Sequence, residues 1–314
     1  MTLSVLLTGA SSFTGLWFAE ALARRGVRVV APLRGAESGY EGVRGRRVAR
    51  LKQCAEVVFD CPFATDAFMA LVENDRFDVV AHHASDVEGY NRWDFDALRA
   101  VGRNAGGADR VLAKAAERGA RAIVATGTVF EAAQGGAPAG SLSANPYGLS
   151  KYLSGEALRH FAAWSGLAFG KFVVANPFGP YEERRFGWYL FQTWFGGETP
   201  VVRTPDYVRD NVPVPLLAEA YADYVVSMAA GNGAADCRPS GIVGSQGSFA
   251  RLLAGEASSR LGKTFTVDIG RQEAFSEPYL RVNDQLCVTP DSLSVFWDSY
   301  VEYYDALHAS GELN

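Results

Sequence analysis

At 314 residues the chain is long enough for one large domain or for two that share a cleft. Its composition, 48% hydrophobic and 21% charged with a formal net charge of -5, is that of a soluble globular protein and excludes a polybasic footprint for nucleic acid or an anionic membrane. Small-molecule chemistry is the expected class. Four cysteines, Cys54, Cys61, Cys237 and Cys287, lie scattered without a Cys-x-x-Cys pair or a histidine cluster at ligand spacing, so no metal is expected and reduced thiols in a cytoplasmic protein fit best. The opening run "LSVLLTGA" is apolar but short, lacks a basic flank and leads into a glycine turn, so it is expected to be a strand and not a signal peptide. No later run approaches the ~18 apolar residues of a membrane span.

In chain order, "LSVLLT" (3–8) predicts a buried strand and "GLWFAEALARRG" (15–26) a helix closed by Gly26. Further strands are expected at 27–33, 55–60, 77–83, 121–126 and 168–176, with helices near 64–74, 94–118 and 146–165. This alternation predicts an α/β fold with a doubly wound, Rossmann-type parallel sheet. Two glycine-rich segments, 34–47 and 131–144, are expected to be loops. After residue 176 the alternation weakens and aromatics, prolines and arginines become denser. A dinucleotide-binding domain is therefore placed at 1–176 and a mainly substrate-binding domain at 177–314, with elements free to interleave.

The turn "TGASSFTG" (8–15) follows the first strand and opens the first helix, the context in which a glycine turn binds a pyrophosphate on free helix amides. Gly9 permits the sharp turn and Gly15 the close packing of helix and strand. Ser12 stands where a middle glycine is usual, and its hydroxyl either adds to phosphate binding or crowds it. In "NPYGLSKYLSGE" (145–156), Asn145 is a helix N-cap and Pro146 suits the first helical position. Tyr147 and Lys151 then share one face a turn apart. A nearby ammonium and the positive end of a helix both favour the tyrosinate, which is the tuning a proton-transfer catalyst needs; an ordinary amphipathic helix is the alternative for that pair alone.

With the turn at 8–15 and Tyr147-x-x-x-Lys151, the sequence resembles the extended short-chain dehydrogenase/reductases, in the nucleotide-sugar epimerase, dehydratase and reductase branch. "ATGTVFE" (125–131), "NAGG" (104–107), "NPFGPY" (176–181) and "RDNVPVPLLAEAY" (209–221) resemble further segments of that branch, so the likeness covers nearly the whole chain. It implies Tyr147 as proton donor, Thr126 as the hydroxyl that bonds the reacting oxygen, Lys151 as the group that holds the nicotinamide ribose and lowers the tyrosine pKa, and Asn104 as a support for the lysine. It also implies cofactor contacts by Gly9, Ser12, Phe13, Gly15, Ala84 and Lys151. Asn176 and Arg209 resemble residues that grip a nucleoside diphosphate, a task suited to the planar arginine fork. Arg281 in "EPYLRVN" is a second candidate clamp, with a surface arginine as its alternative. Asp86 is in position to face the sugar, with structural pairing to an arginine as its alternative.

Cofactor choice is read from the end of the second strand. Enzymes that prefer NAD place an acid there for the adenosine ribose hydroxyls; here Pro32 and Leu33 lead to Arg34, with Glu37 the nearest acid and Arg44, Arg46 and Arg47 following. This predicts NADP, with Arg34 on the 2′-phosphate and Asp60 near the adenine; a solvated basic loop is the alternative. Gly127 and Thr128 stand where the branch's 4,6-dehydratases carry Asp-Glu, which argues against dehydration. Phe130 and Glu131 replace Tyr-Gly, and Pro215 replaces an Asp. The expected function is NADP-dependent reduction of a 4-keto nucleotide sugar by a cytoplasmic homodimer. A 4-epimerase that retains NAD is the enzymatic alternative, and a dinucleotide-sensing or scaffold protein is the alternative of another class.

Overall fold

The computed structural model describes residues 2–233 and 236–313. Its chain divides into two compact units: Met1–Val174 with Ala218–Arg238, and Ala175–Leu217 with Pro239–Asn314. The return segment enters within the helix Val214–Ala229.

The first unit is built on strands β1 (Ser4–Thr8), β2 (Arg28–Pro32), β3 (Glu56–Val58), β4 (Val79–His82), β5 (Ala122–Thr128) and β6 (Ala168–Val174). They form one parallel sheet in the order β3-β2-β1-β4-β5-β6. Helices α1 (Phe13–Arg24), α2 (Gly42–Leu51), α3 (Asp66–Asn74), α4 (Ala97–Ala105), α5 (Ala108–Glu117) and α6 (Pro146–Trp164) complete it. Parallel strands covered on both faces read as continuous apolar runs, and every residue of β1, β4 and β5 is buried. Leu6, Val80 and Ile123 pack in one cluster with Phe68, Val72 and Leu112. Burying each such side chain contributes about 1.5–3 kcal/mol. Strand order reverses between β1 and β4, and ligands of doubly wound sheets bind beyond the strand ends at such a point. The register aligns three of those ends, pairing Thr8 with His82 and His82 with Ala125.

Two expected elements differ. The segment 34–47, read as a loop, contains the start of α2, whose Arg47, Val48 and Leu51 are buried at helical spacing. The four glycines of that segment masked the period, and Gly45 is required there, since a Cβ would stand 2.6 Å from the Tyr40 carbonyl oxygen. The single helix expected over 94–118 is two, because Gly107 takes φ +76° and ends the run between α4 and α5.

In the second unit the strand Val208–Pro213 pairs with Asn176–Phe178 and Leu280–Arg281 in parallel and with Ile242–Ser245 antiparallel. Helices Phe186–Phe195, Gln246–Leu261 and Pro290–Ala309 supply an aromatic core in which Phe191 stacks on Tyr304 at 4.2 Å. Buried in that core, Glu182 Oε1 accepts hydrogen bonds from the hydroxyls of Tyr300 and Tyr304, each at 2.7 Å. Burial pushes its carboxyl up to about 7, against the two tyrosine bonds. A carboxyl raised this way holds its proton in the folded state, so its contribution to stability is lost as pH rises from the free glutamate range through about 7. Glu182→Gln keeps an oxygen acceptor without the charge. The variant is expected to match wild type near pH 5 and exceed it at pH 8, by on the order of 3 kcal/mol for a shift of this size. Urea unfolding at both pH values checks this; a gap that does not widen with pH removes the assignment.

Candidate active site

The site of the first unit grows from the aligned ends of β1, β4 and β5. Gly9 turns the chain after β1 with φ +72°, and a Cβ there would meet the Ala84 amide nitrogen at 2.7 Å. Gly15 lies so close to the Gly9 carbonyl that its own Cβ would stand 2.3 Å away. The turn is thus closed by backbone, with the positive end of α1 beyond it, a cradle suited to a pyrophosphate. Phe13 opens α1 with its side chain buried. Ser12 turns its hydroxyl inward as the N-cap, accepting from Gly15 N at 3.1 Å and meeting His83 Nε2 at 3.0 Å. Its hydroxyl is thus held by the protein on both sides.

His83 spans from this turn to the catalytic candidate. Its Nε2 also lies 2.9 Å from Thr14 Oγ1, and its Nδ1 lies 3.0 Å from Thr126 Oγ1 on β5. His82 faces the other way, with Nδ1 3.2 Å from Thr8 Oγ1 and Nε2 2.9 Å from the Asn104 carbonyl oxygen. Burial, reinforced by the Lys151 charge, pulls His82 down to about 4 and His83 down to about 3, so both rings are neutral at pH 7.

Thr126, Asn104, Lys151, Ala84 and Glu131 line one small pocket. Asn145 caps α6 by accepting from Gly148 N at 2.7 Å, which fixes the start of the helix bearing Tyr147 and Lys151. Tyr147 is half-buried, with its ring edge-on to Tyr90, Phe95 and Phe130. Lys151 is buried, which lowers its ammonium to about 8; Glu131 opposes the shift and Lys171 adds to it. Asn104 is fixed on both sides: its Oδ1 accepts from Asp86 N at 2.7 Å, and its Nδ2 reaches Ser85 and Ser154 hydroxyls at 3.4 Å. Asp86 is buried and paired with Arg103 at 2.9 Å.

Two residues beside these carry polar contacts that spacing in the sequence does not reveal. His83 lies at a predicted strand end, and the serine at the middle-glycine position is the signal that something polar faces it. Glu131 was noted as a departure, but not its partner: Glu131 Oε2 takes a 2.8 Å ion pair from Lys171 on β6, with both side chains buried. A lysine within the apolar run "AFGKFVV" was the signal, because a buried charge requires a counter-charge.

On the adenosine side, Arg34 is exposed after β2 and Asp60 is exposed after β3, where its amide bonds the Gly35 carbonyl oxygen at 3.1 Å. Glu37, the nearest acid, is paired with Lys52 at 2.5 Å. Arg44 reaches from α2 to Ser11 of the glycine turn, with Nη2 3.3 Å from its hydroxyl. Arg47 is buried and lies over the Phe13 ring.

In the second unit, Asn176 Nδ2 donates to Asn211 Oδ1 at 2.6 Å. Arg209 lies 4.3 Å over the Tyr207 ring, pairs with Glu277 at 3.1 Å and donates to the Val208, Pro278 and Tyr279 carbonyl oxygens. Arg281 is buried, which removes the surface alternative. Burial, with the Arg209 charge and against Glu277, lowers its guanidinium to about 10.

Among the described residues no cluster of histidine, cysteine and acidic side chains is arranged to hold a metal, and no helix is long and apolar enough to cross a membrane.

No curated protein sequence matches the chain. Solved structures do match its fold. The UDP-glucuronic acid 4-epimerase of Bacillus cereus, solved with UDP-glucuronic acid and NAD, superposes with a TM-score of 0.74 at 15% identity, covering 97% of this chain and 100% of that one. The UDP-N-acetylglucosamine 4-epimerase of Methanobrevibacter ruminantium gives 0.74 at 15% identity over 98% and 99%. The UDP-glucose 4-epimerase of Thermotoga maritima, solved with UDP-glucose, gives 0.70 at 17% over 98% and 100%. The sequence profile of the NAD dependent epimerase/dehydratase family matches residues 5–196. The chain belongs to the NAD-dependent epimerase/dehydratase family, within the extended short-chain dehydrogenase/reductase enzymes.

Proposed function

We propose that the protein is an NADP-dependent nucleotide-sugar oxidoreductase that reduces a 4-keto sugar. The observation that carries this reading is the pocket where Thr126, Asn104 and Lys151 converge, at the start of the helix that bears Tyr147. A nicotinamide dinucleotide, when bound, supplies the hydride. Gly9, Ser12, Phe13, Gly15 and Ala84 form the turn that takes its pyrophosphate, and Lys151 its ribose. Tyr147 gives the proton to the carbonyl oxygen, Thr126 holds that oxygen by a hydrogen bond, and the largely protonated Lys151 lowers the cost of the resulting tyrosinate. Asn104 keeps α4 and α6 in place around the lysine. Asn176, Arg209 and Arg281 are assigned to the nucleoside diphosphate and Asp86, through its loop, to the sugar side.

NADP preference is supported by the exposed Arg34, by Arg44 beside Ser11, and by the engagement of Glu37, the nearest acid, with Lys52. NADP(H) is expected to bind at least about tenfold more tightly than NAD(H), or ~1.4 kcal/mol, and Arg34→Ala to erase most of that gap. Asp60→Ala should weaken both cofactors alike. Fluorescence titration with NADPH and NADH tests this, and equal affinities or an NADH preference would transfer the assignment to the second reading. That reading, a 4-epimerase retaining NAD, is favoured by the similar structures, which are UDP-sugar 4-epimerases. An epimerase keeps its cofactor between half-reactions, so cofactor carried through purification separates the two. A homodimer through α6 and the preceding helix is supported by Trp164, which is 77% exposed on α6.

A further inference from the structure

We infer that His83 is a positioning residue that fixes the direction of the Thr126 hydroxyl, linking the phosphate turn to the reacting oxygen through a one-way chain of hydrogen bonds. The inference rests on the assignment of Thr126 to that oxygen.

A neutral imidazole has one N–H donor and one acceptor nitrogen. His82 is settled by its partners: Nε2 faces a carbonyl oxygen, which only accepts, so the proton of His82 sits on Nε2. Its bare Nδ1 then accepts from Thr8 Oγ1, whose own oxygen receives the amides of His83 and Ala84 at 3.1 and 3.0 Å.

His83 has hydroxyls on both sides, and here the helix start decides. Ser12 Oγ accepts the Gly15 amide, so its proton is free to go to His83 Nε2. Thr14 Oγ1 presents a second hydroxyl to the same nitrogen. A proton on Nε2 would leave both hydroxyl protons without that acceptor, whereas a bare Nε2 takes one. The proton of His83 therefore sits on Nδ1 and is donated to Thr126 Oγ1. The buried Tyr221 hydroxyl lies near Thr126 but makes no hydrogen bond of standard geometry among the described residues, so it does not compete for the remaining Thr126 lone pair or proton. With the ring N–H filling one lone pair, the Thr126 proton is turned away from His83 and offered to the substrate. The chain runs from Gly15 N–H through Ser12 and His83 to Thr126. It makes Thr126 a donor, which suits a carbonyl or alkoxide oxygen. Adjacent histidines thus carry opposite tautomers for a reason visible in their partners.

The full chain labelled with 15N-histidine tests this without substrate. Its histidines are His82, His83, and the exposed His160 and His308. Two rings are expected to stay neutral from pH 8 to pH 5, one protonated at Nε2 and the other at Nδ1. Signals of His83 are identified by their loss in His83→Asn, whose amide also keeps a donor near the Nδ1 position. Thr126→Val should shift the His83 nitrogens and leave those of His82 in place. A His83 proton on Nε2 in wild type, or a His83 spectrum indifferent to Thr126→Val, overturns the proposal. In NADPH-dependent reduction of a UDP-4-keto sugar, His83→Gln should lower kcat at least about tenfold with KM little changed, and His83→Asn should retain most of it. Equal losses in both variants overturn the positioning role. Absence of turnover in wild type with the tautomers as stated would count against the reductase reading and not against the chain of bonds.

Discussion

Tyr147→Phe is expected to lower turnover roughly 10²–10⁴-fold, the range contributed by a positioned general acid, while NADPH affinity stays nearly intact. The expectation of so clean a separation comes from where the ring sits. Its packing is with Tyr90, Phe95 and Phe130, at centroid distances of 5.3, 6.1 and 6.4 Å, and a phenylalanine ring keeps all three contacts. The N-cap at Asn145, a side chain on the Gly148 amide, does not involve the phenol either. Lys151→Ala should differ in kind, weakening cofactor binding and turnover together. Steady-state rates with NADPH and a UDP-4-keto sugar, beside fluorescence titration of NADPH, distinguish these patterns. Residual activity above about a tenth of wild type in the phenylalanine variant lies outside the acid-catalysis range and would remove Tyr147 from the role.

What could be read in the sequence was local. The turn at Gly9 to Gly15 and the pair Tyr147 and Lys151 each lie within one element or one connection, where spacing alone dictates geometry. Strand alternation gave the doubly wound sheet, because buried parallel strands are contiguous apolar runs. The contacts of His83 with Ser12, Thr14 and Thr126 join residues 43 to 71 positions apart, through the register of β1, β4 and β5. No periodicity encodes that register across the four crossovers between β1 and β5. Helix α2 was hidden for a different reason: its glycines and arginines have the composition of a loop, and only Val48 and Leu51 reveal a buried face. Arg44 became a cofactor candidate beside Arg34 once that helix placed it against Ser11.

Removing Glu131 should destabilise the protein by roughly 3–5 kcal/mol, the cost of leaving a buried charge without its partner. The Glu131 side chain is fully buried and that of Lys171 is 4% exposed, so water cannot replace either one. Glu131 Oε1 also accepts from Thr128 N at 2.9 Å, tying the end of β5 to the same carboxylate. In Glu131→Leu the nearest acid left to the Lys171 ammonium among the described residues is Glu156, at 4.0 Å and half-exposed, and the Thr128 amide loses its acceptor. The double variant Glu131→Leu with Lys171→Met removes both charges. Such apolar replacements of buried pairs are often neutral or stabilising, so it should recover most of the loss, and urea unfolding of the two variants checks this. A double variant as unstable as the single one would mean that shape or the Thr128 bond, and not charge, sets the requirement. The pair also bears on the site beside it. Glu131 raises the Lys151 pKa, whereas Lys171 lowers it, and burial brings the ammonium down to about 8. Removing both charges leaves burial as the governing influence on Lys151. Removing Glu131 alone leaves the Lys171 charge balanced only weakly, by the half-exposed Glu156, and should drive Lys151 further toward the neutral amine. The pH at which Lys151 gives up its proton, read from the alkaline limb of NADPH binding, should therefore fall in Glu131→Leu and return toward the wild-type position in the double variant.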